Sequence, residues 1–497
     1  MGDNRPAMAM EIELKLLLPE AGQRRFLRHP VLKTALATAG RRLVNIYFDT
    51  PDLRLLGHGI ALRLRRQGDQ WLQTVKCSGQ RHGALAARPE WETPYSGQFD
   101  FSVIDDARVR GFLDRSKVRA TLMPIFETHF LRRVWSLPGL ELVLDRGWIA
   151  AAGRREPISE VEIELVGDAQ VGQLFALADQ LSAHQLLLPA WQSKAERGYR
   201  LFRGEAAAPR RAAAGADFAA DATPAAAFAA IATDCLAQME ANRAGTLAAA
   251  DPEYLHQMRV AVRRLRACLR IFAPLLPADD VDALLPALRE LMQALGQGRD
   301  LDVLQTESLA PLVATLPDDP RLAALLAAVD LRRQAAHAVI SRQLDDAAHG
   351  RLLLALTALL QPGDDAAAGT LEDFARARLR RLGRRLRRLA RAATPGDASG
   401  LHAMRIAVKR LRYALEFFQP LLRRRERRLA RCLADIQETL GQINDLATAD
   451  RLLAAIAGGD PALREAAALA GGWNAERRVR LHALVPAVIE DCRRLAS

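Results

Sequence analysis

The 497-residue chain reads as an α+β protein in two parts. An eight-stranded antiparallel β-barrel with flanking helices comes first, and an all-α domain follows. Three observations predict this. Up to about Arg203 the chain is cut into short runs of alternating apolar and polar residues, the period of a half-buried strand. Beyond about Pro224 it changes to Leu, Ala and Arg at helical spacing. That second part also repeats itself. "HQMRVAVRRLRACLRIFAPLL" (256–276) aligns without gaps to "HAMRIAVKRLRYALEFFQPLL" (402–422), and "LGQGRDLDVL" (295–304) aligns to "LGQINDLATA" (440–449). A period this long suits a duplicated helical bundle, not a solenoid.

The strands follow in order: "MEIELKLLLP" (10–19), "RLVNIYFDT" (42–50), "ALRLRRQ" (61–67), "WLQTVK" (71–76), "RPEWETP" (88–94), "THFLRRVW" (128–135), "LELVLD" (140–145) and "SEVEIEL" (159–165). Helices are expected at about 170–184, and near 20–29 and 104–115. "GEAAAPRRAAAGADFAADATP" (204–224) is poor in large apolar residues and rich in Ala, Pro and Gly, the composition of a linker. The expected domains are therefore 9–203 and 224–497, joined by 204–223, with helical copies at about 224–369 and 370–497.

Composition narrows the function. Half the residues are apolar, and no apolar run is long enough to span a bilayer. "MGDNRPAMAM" lacks the apolar core of a signal peptide. The five cysteines form no CxxC pair, which argues against a zinc site or a disulfide framework and for a cytoplasmic protein. A net charge of +12 favours an anionic partner: nucleic acid, a membrane surface or a polyphosphate. Aromatics are only 5%, which weakens any base-stacking reading.

The strands share an unusual grammar. Glu11, Glu13 and Lys15 fall on one face of the first, with Ile12, Leu14 and Leu16 opposite. Glu160, Glu162 and Glu164 share a face of "SEVEIEL", Arg63 and Arg65 of "ALRLRR", Thr74 and Lys76 of "WLQTVK", Arg88, Glu90 and Glu92 of "RPEWE", and Asp145 lies on the face of Glu141 and Val143. One such strand alone is an ordinary sheet with a wet face. Several, with apolar faces opposite, fit a barrel whose apolar faces pack outward and whose charges line a lumen. Like charges about 6.6 Å apart repel by about 2.5 kcal/mol at an effective dielectric near 20, so a buried face would need a partner, and the obvious one is a divalent metal. About seven cations and eight acids leave such a lumen near neutral. It would accept a triphosphate together with two divalent cations, and carboxylate oxygens suit Mg2+ or Mn2+.

These motifs resemble the CYTH domains, or triphosphate tunnel metalloenzymes. The hallmark ExExK strand is Glu11-Ile12-Glu13-Leu14-Lys15. "YFDT" (47–50), "LRLRR" (62–66), "TVK" (74–76), "RPEWE", "FLRRVW" (130–135), "LVLDRG" (142–147), "SEVEIEL" and "SKAERGYRL" (193–201) follow in order. The second half resembles the CHAD domain, and the two together resemble bacterial CYTH–CHAD inorganic triphosphatases. The resemblance implies that Glu11, Glu13, Glu162 and Glu164 hold two Mg2+ or Mn2+ ions, and that these four with Lys15 are catalytic. It implies that Lys15, Arg63, Arg65, Lys76, Arg132 and Lys194 grip inorganic triphosphate. Arg132 is preferred to Arg133 because the family's arginine stands two after the Phe and three before the Trp. Asp145 is either a metal ligand or an orienter of a phosphate-binding cation. Glu160 supports neighbouring ligands, and Glu90 and Glu92 place a water or a cation. Thiamine triphosphatases and class IV adenylyl cyclases share the family, so those activities stand as alternatives. A polyphosphate-binding protein with vestigial phosphatase activity is another.

In the helical half, Met258, Val262, Leu265, Leu269 and Phe272 make an apolar stripe. Beside it runs His256, Arg259, Arg263 and Arg266. The second copy repeats this with Met404, Val408, Leu411, Leu415 and Phe418 beside His402, Arg405, Lys409 and Arg412, and departs at Glu416, which stands where the first has Arg270. A run of arginines from Arg376 to Arg391 adds a strongly basic helix that repels itself unless an anion is near. CHAD resemblance points to long-chain polyphosphate as the partner. Nucleic acid is the weaker alternative, since basic helices bind phosphate backbones generally.

Overall fold

The computed structural model describes residues 9–77, 80–82, 84–205, 208–212, 218, 221–361 and 369–495. The polar N-terminal segment before Ala9 and part of the expected linker lie outside the described residues. Two compact units are present: residues 1–207 with 345–359, and residues 208–344 with 360–497.

The first unit is built on one antiparallel sheet. Its strands are β1 (Ala9–Leu17), β2 (Leu36–Ala37), β3 (Arg41–Asp49), β4 (Ile60–Gln67), β5 (Gln70–Cys77), β6 (Gln80–His82), β7 (Leu85–Pro94), β8 (Met123–Leu137), β9 (Leu140–Ala151), β10 (Arg154–Leu165) and β11 (Leu188–Pro189). The order β1-β10-β9-β8-β3-β4-β5-β7 returns on itself, because β1 pairs with both β10 and β7. Eight strands thus make the expected barrel, and β2, β6 and β11 are short additions. Alternation decides which face goes where. Leu14, Leu16, Leu142, Leu144, Val161 and Ile163 are buried outside the ring, against Leu174, Leu177, Ala178 and Leu181 of the helix Val171–Ser182. The charged partners on the same strands are left to the inside. Helices also form at Gln23–Phe26 and Ala107–Leu113, the latter capped by Asp106, which accepts from the Arg108 and Val109 N–H groups.

The helix Ala347–Ala358 belongs to this unit although it lies far along the chain. It packs on the helix Val171–Ser182 and on β11, and Leu354 joins the Leu14–Ile163 core. Gly350 makes this approach possible, since a Cβ there would stand 2.3 Å from the Leu187 carbonyl oxygen. Periodicity alone places these residues in the first helical copy. Their burial against the barrel depends on long-range packing that no local pattern records.

The second unit repeats its helices as the sequence does. Pro224–Leu247, Pro252–Phe272 and Ala278–Val303 in the first copy answer Leu371–Ala392, Ala398–Phe417 and Arg424–Ala457 in the second. Both apolar stripes, Met258 to Phe272 and Met404 to Phe418, are buried. The copies meet at equivalent aromatic rings. Phe272 lies 5.7 Å from Phe228, 5.2 Å from Phe374 and 5.7 Å from Phe418, centroid to centroid, within the range of favourable ring pairs. The departure at Glu416 has a structural reason. Arg264, almost wholly buried, is held between Asp234 (2.9 Å) and Glu416 (2.8 Å), so the second copy supplies a counter-charge for the first.

Candidate active site

A cavity of about 430 Å³ runs into the barrel. Among its lining residues are six carboxylates (Glu11, Glu13, Glu90, Glu92, Glu162, Glu164) and six cations (Lys15, Arg63, Arg65, Lys76, Arg132, Lys194). Strand register brings them together. Glu13 stands opposite Glu164, Lys15 opposite Glu162, and Lys76 opposite Glu90. Arg88 pairs with Glu11 through the backbone, and its side chain lies outside the described residues. Lys194 arrives from the first turn of the helix Lys194–Arg203. There Ser193 accepts from the Glu196 N–H, and the Glu196 carboxylate accepts from the Ser193 N–H. Gly198 lets that helix press on the barrel, since a Cβ there would meet the Phe126 ring at 2.2 Å.

The carboxylates divide into two groups. Asp145, Glu160 and Glu162 are buried and bound by cations. Arg132 donates to both Asp145 oxygens (2.8 and 2.7 Å) and to Glu162 Oε2 (2.7 Å). Lys194 Nζ lies 2.9 Å from Asp145, 2.6 Å from Glu160 and 2.8 Å from Glu162. Both Asp145 oxygens are thus engaged and the group has no exposure, which favours the orienting reading of Asp145 over the metal reading. Glu160 is further held by Arg197, a buried cation within "SKAERGYRL" that its position in the motif alone does not single out. Burial opposes ionisation of Glu162, but Lys194, Lys15 and Arg132 hold its pKa well below the ordinary value.

The second group is Glu11, Glu13 and Glu164, each offering one oxygen within 4.8 Å of the others. Lys15 pairs with Glu13 (2.8 Å) and Lys76 with Glu11 (2.6 Å), and no ion pair of Glu164 occurs among the described residues. Burial, then repulsion from Glu162, Glu11 and Glu13, pushes the Glu164 carboxyl up to about 8. Like charges directly opposite on paired strands destabilise each other. Oxygen donors so placed fit a hard divalent cation. Glu162, which the sequence grouped with these ligands, points instead to the cations.

Arg63, Arg65 and Lys76 line the cavity beside Glu90 and Glu92. Arg63 reaches Glu90 at 3.3 Å, Lys76 reaches it at 2.8 Å, and Arg65 is only loosely paired with Glu92 at 3.9 Å. Burial, then the charges of Arg63 and Arg132, lower the Arg65 guanidinium to about 10. A positive region of this kind is stabilised by an incoming anion. Tyr47 and Asn45 also line the cavity. Asn45 Oδ1 accepts from Arg65 Nε at 3.1 Å. Burial would raise the Tyr47 phenol, but the bonded Arg63 with Arg65 and Lys76 brings it below its usual value. Both stand on the strand carrying "YFDT", and alternation puts them on one face, the signal that could have found them.

In the helical unit a groove of about 1640 Å³ is lined by His256, Arg259, Arg263, Arg266, His402, Arg405 and Lys409. Arg412 does not join them: it donates to Gln437 (2.8 Å) and pairs with Glu416 (3.5 Å). Arg378, Arg381, Arg384, Arg385 and Arg388 of the arginine-rich helix do line it, as do Arg299, Arg410 and Arg451. Fourteen arginines and lysines in the lining face four carboxylates. Burial, then the charge of Arg299, lowers His256 to about 4, so it is neutral at pH 7.

The tunnel of opposed charges and the duplicated basic bundle define a two-part protein, a charged barrel followed by a basic helical unit. Family models agree: CYTH domain matches residues 9–199 and CHAD domain matches residues 230–454. The chain is a CYTH domain followed by a CHAD domain. A Haemophilus influenzae protein named inorganic triphosphatase is 32% identical over 200 residues, 39% of this chain and 55% of that one. An uncharacterized Mycobacterium tuberculosis protein, Rv2226, is 33% identical over 170 residues, 32% of this chain and 33% of its own. The chain therefore spans about half or less of the curated relatives it matches. A crystal structure of the CHAD domain from the plant Ricinus communis matches at 35% identity with TM-score 0.50, covering 58% of this chain and 96% of that one. No helix among the described residues is long and apolar enough to cross a membrane.

Proposed function

We propose that the barrel is a metal-dependent triphosphatase. It would cleave inorganic triphosphate to pyrophosphate and phosphate, in the cytoplasm, with two Mg2+ or Mn2+ ions. The observation that carries this is the cluster Glu11, Glu13 and Glu164 sharing one cavity with Arg63, Arg65, Lys76 and Arg132. Twelve of nineteen lining residues are Lys, Arg or Glu, with equal numbers of each sign. A highly charged anion enters such a site only with compensating cations. The Haemophilus relative's name supports the same reading.

Glu11, Glu13 and Glu164 would hold the metal, with Glu162 near enough to turn from its cations toward a second ion. Bound there, a hard divalent cation supplies charge neutralisation at phosphate oxygens and a lowered pKa for a water. The rest falls to the chain's own side chains. Arg63, Arg65 and Lys76 would grip non-bridging oxygens, and Lys15 and Lys194 would neutralise charge that develops on the departing group. Asp145 and Glu160 fix the orientation of Arg132 and Lys194. Phosphoryl transfer leaves little covalent work to a protein, so positioning and charge are what such a site contributes. The test is phosphate release from inorganic triphosphate, ATP and thiamine triphosphate, with and without Mg2+. The reading requires metal dependence and the highest kcat/KM for inorganic triphosphate. Preference for either organic triphosphate selects the family alternatives, and negligible turnover of all three selects the vestigial one.

The helical groove we read as the seat of long-chain polyphosphate. Its excess of ten positive charges, with no comparable set of clustered carboxylates among the described residues, suits holding an anion more than cleaving one.

A further inference from the structure

Lys409 is the one lysine in residues 224–497, where every other basic side chain besides histidine is arginine. The matching position of the first copy is Arg263. Lys409 is half-buried on the helix Ala398–Phe417 and lines the basic groove. The charged groups facing it are Arg405 on its own helix, Arg259 and Arg263 on Pro252–Phe272, and Asp445 on Arg424–Ala457. Its ammonium makes no ion pair or hydrogen bond among the described residues. Three guanidinium groups therefore stand around the amine, offset by Asp445 and by Asp300, which lies 3.7 Å from Arg259.

We propose that Lys409 is an acylation site, its Nζ receiving the acyl group of an acyl phosphate whose phosphoryl end is held by Arg259, Arg263 and Arg405. The Nζ lone pair attacks the acyl carbon, and a C–N bond replaces the C–O bond to the phosphate. Inorganic phosphate leaves with that electron pair, neutralised by the guanidinium groups, and the nitrogen sheds one proton to solvent. Arginine cannot do this, because its guanidinium stays protonated. Lysine can, once desolvation and neighbouring cations free its amine.

The magnitudes favour the reaction. Burial, then Arg405, Arg263 and Arg259, lower Lys409 to about 7. At pH 7.5 that raises the free-amine fraction roughly 600-fold over a solvated lysine of pKa about 10.4. The weaker base is a poorer nucleophile, by about 50-fold if amines follow the slope seen for thiols. A net gain of about tenfold remains before any help from phosphate binding. The proposal concerns a residue of the groove and stands whether or not polyphosphate is the groove's ligand.

The test treats the full chain with acetyl phosphate at pH 7.5 and follows each of its six lysines by peptide-resolved mass spectrometry. Lys409 should acetylate at least about tenfold faster than the exposed Lys33 and Lys117. Its rate should reach half its plateau near pH 7. Excess inorganic phosphate should slow Lys409 and leave Lys33 unchanged. Acetic anhydride, which has no phosphoryl group, should show a smaller Lys409-to-Lys33 ratio than acetyl phosphate. Lys409→Arg should remove all label from residues 224–497. Lys409 reacting no faster than Lys33 overturns the proposal. Equal ratios with the two reagents, or indifference to phosphate, overturn the guiding role of the arginines.

Discussion

Metal binding at the three-carboxylate cluster should release a proton, and Glu164 is its source. Without metal, burial and three neighbouring carboxylates keep Glu164 protonated up to about pH 8. A cation needs the ionised form. At pH 7 about 0.9 proton should leave per ion bound, and apparent affinity should rise about ninefold from pH 6 to 7 and about fivefold from 7 to 8. Titration calorimetry with MgCl2 in two buffers of different ionisation enthalpy measures both. Glu164→Gln should bind metal more weakly with a flat profile over that range. The metal-free fold follows the same linkage. The folded pKa lies above the ordinary value of 4.5, so this contribution is fully present below about pH 4.5. It is lost at about 1.4 kcal/mol per pH unit as pH rises toward 8. Saturating Mg2+ should abolish the loss. A pH-independent affinity, or the same profile in Glu164→Gln, would refute the assignment of Glu164 as ligand.

Asp145→Asn leaves Arg132 and Lys194 short of a buried counter-charge, and should cost about 3–5 kcal/mol in urea unfolding, with kcat falling more than KM rises. Gly350→Val drives a side chain onto the Leu187 carbonyl and should cost about 1–3 kcal/mol, read by tryptophan fluorescence, since five of the six tryptophans lie before residue 200. Phe272→Ala removes the ring shared by Phe228, Phe374 and Phe418 and should destabilise the helical unit by about 3–5 kcal/mol, seen as loss of helical circular dichroism at lower temperature. Polyphosphate should displace a labelled DNA duplex from the full chain at far lower phosphate concentration than the reverse, with both weakened by salt; the opposite order would favour nucleic acid.

Alternation made the barrel legible. One face of "MEIELKLLLP" had to go inward, and the inward residues were the charged ones. The repeat made the helical copies legible, down to the equivalent phenylalanines. What alternation could not show is which inward charge bonds which. Glu162 and Glu164 share a face and a spacing, yet one is held by Lys194 and Arg132 and the other adjoins Glu11 and Glu13. That depends on neighbours from β8, β9 and the helix Lys194–Arg203, set by register across the sheet. Arg412 failed for a similar reason: helical phase put it beside the strip, and Gln437 and Glu416 drew it away. The helix Ala347–Ala358 carries no mark of its destination, because Leu354 and Gly350 would serve equally well in a helical bundle.

The linings of the two units differ in charge balance, neutral in the tunnel and strongly basic in the groove. In the tunnel every lining cation has a carboxylate close by, so an anion must displace existing ion pairs, and only the loosely paired Arg65 gains from one arriving alone. On the proposed reading, divalent cations entering with the anion would restore the balance. In the groove fourteen basic side chains face four acids, and burial with mutual repulsion already lowers the pKa of Arg259, Arg405 and Lys409. Any polyanion relieves that repulsion, needs no metal and competes only with salt. Added Mg2+ should therefore act in opposite directions on the two units, promoting turnover in the tunnel and weakening retention in the groove by pairing with the polyanion in solution. Titrating Mg2+ on one preparation while following both phosphate release and polyphosphate binding separates them. Parallel responses would mean that one charge mechanism, not two, governs the chain.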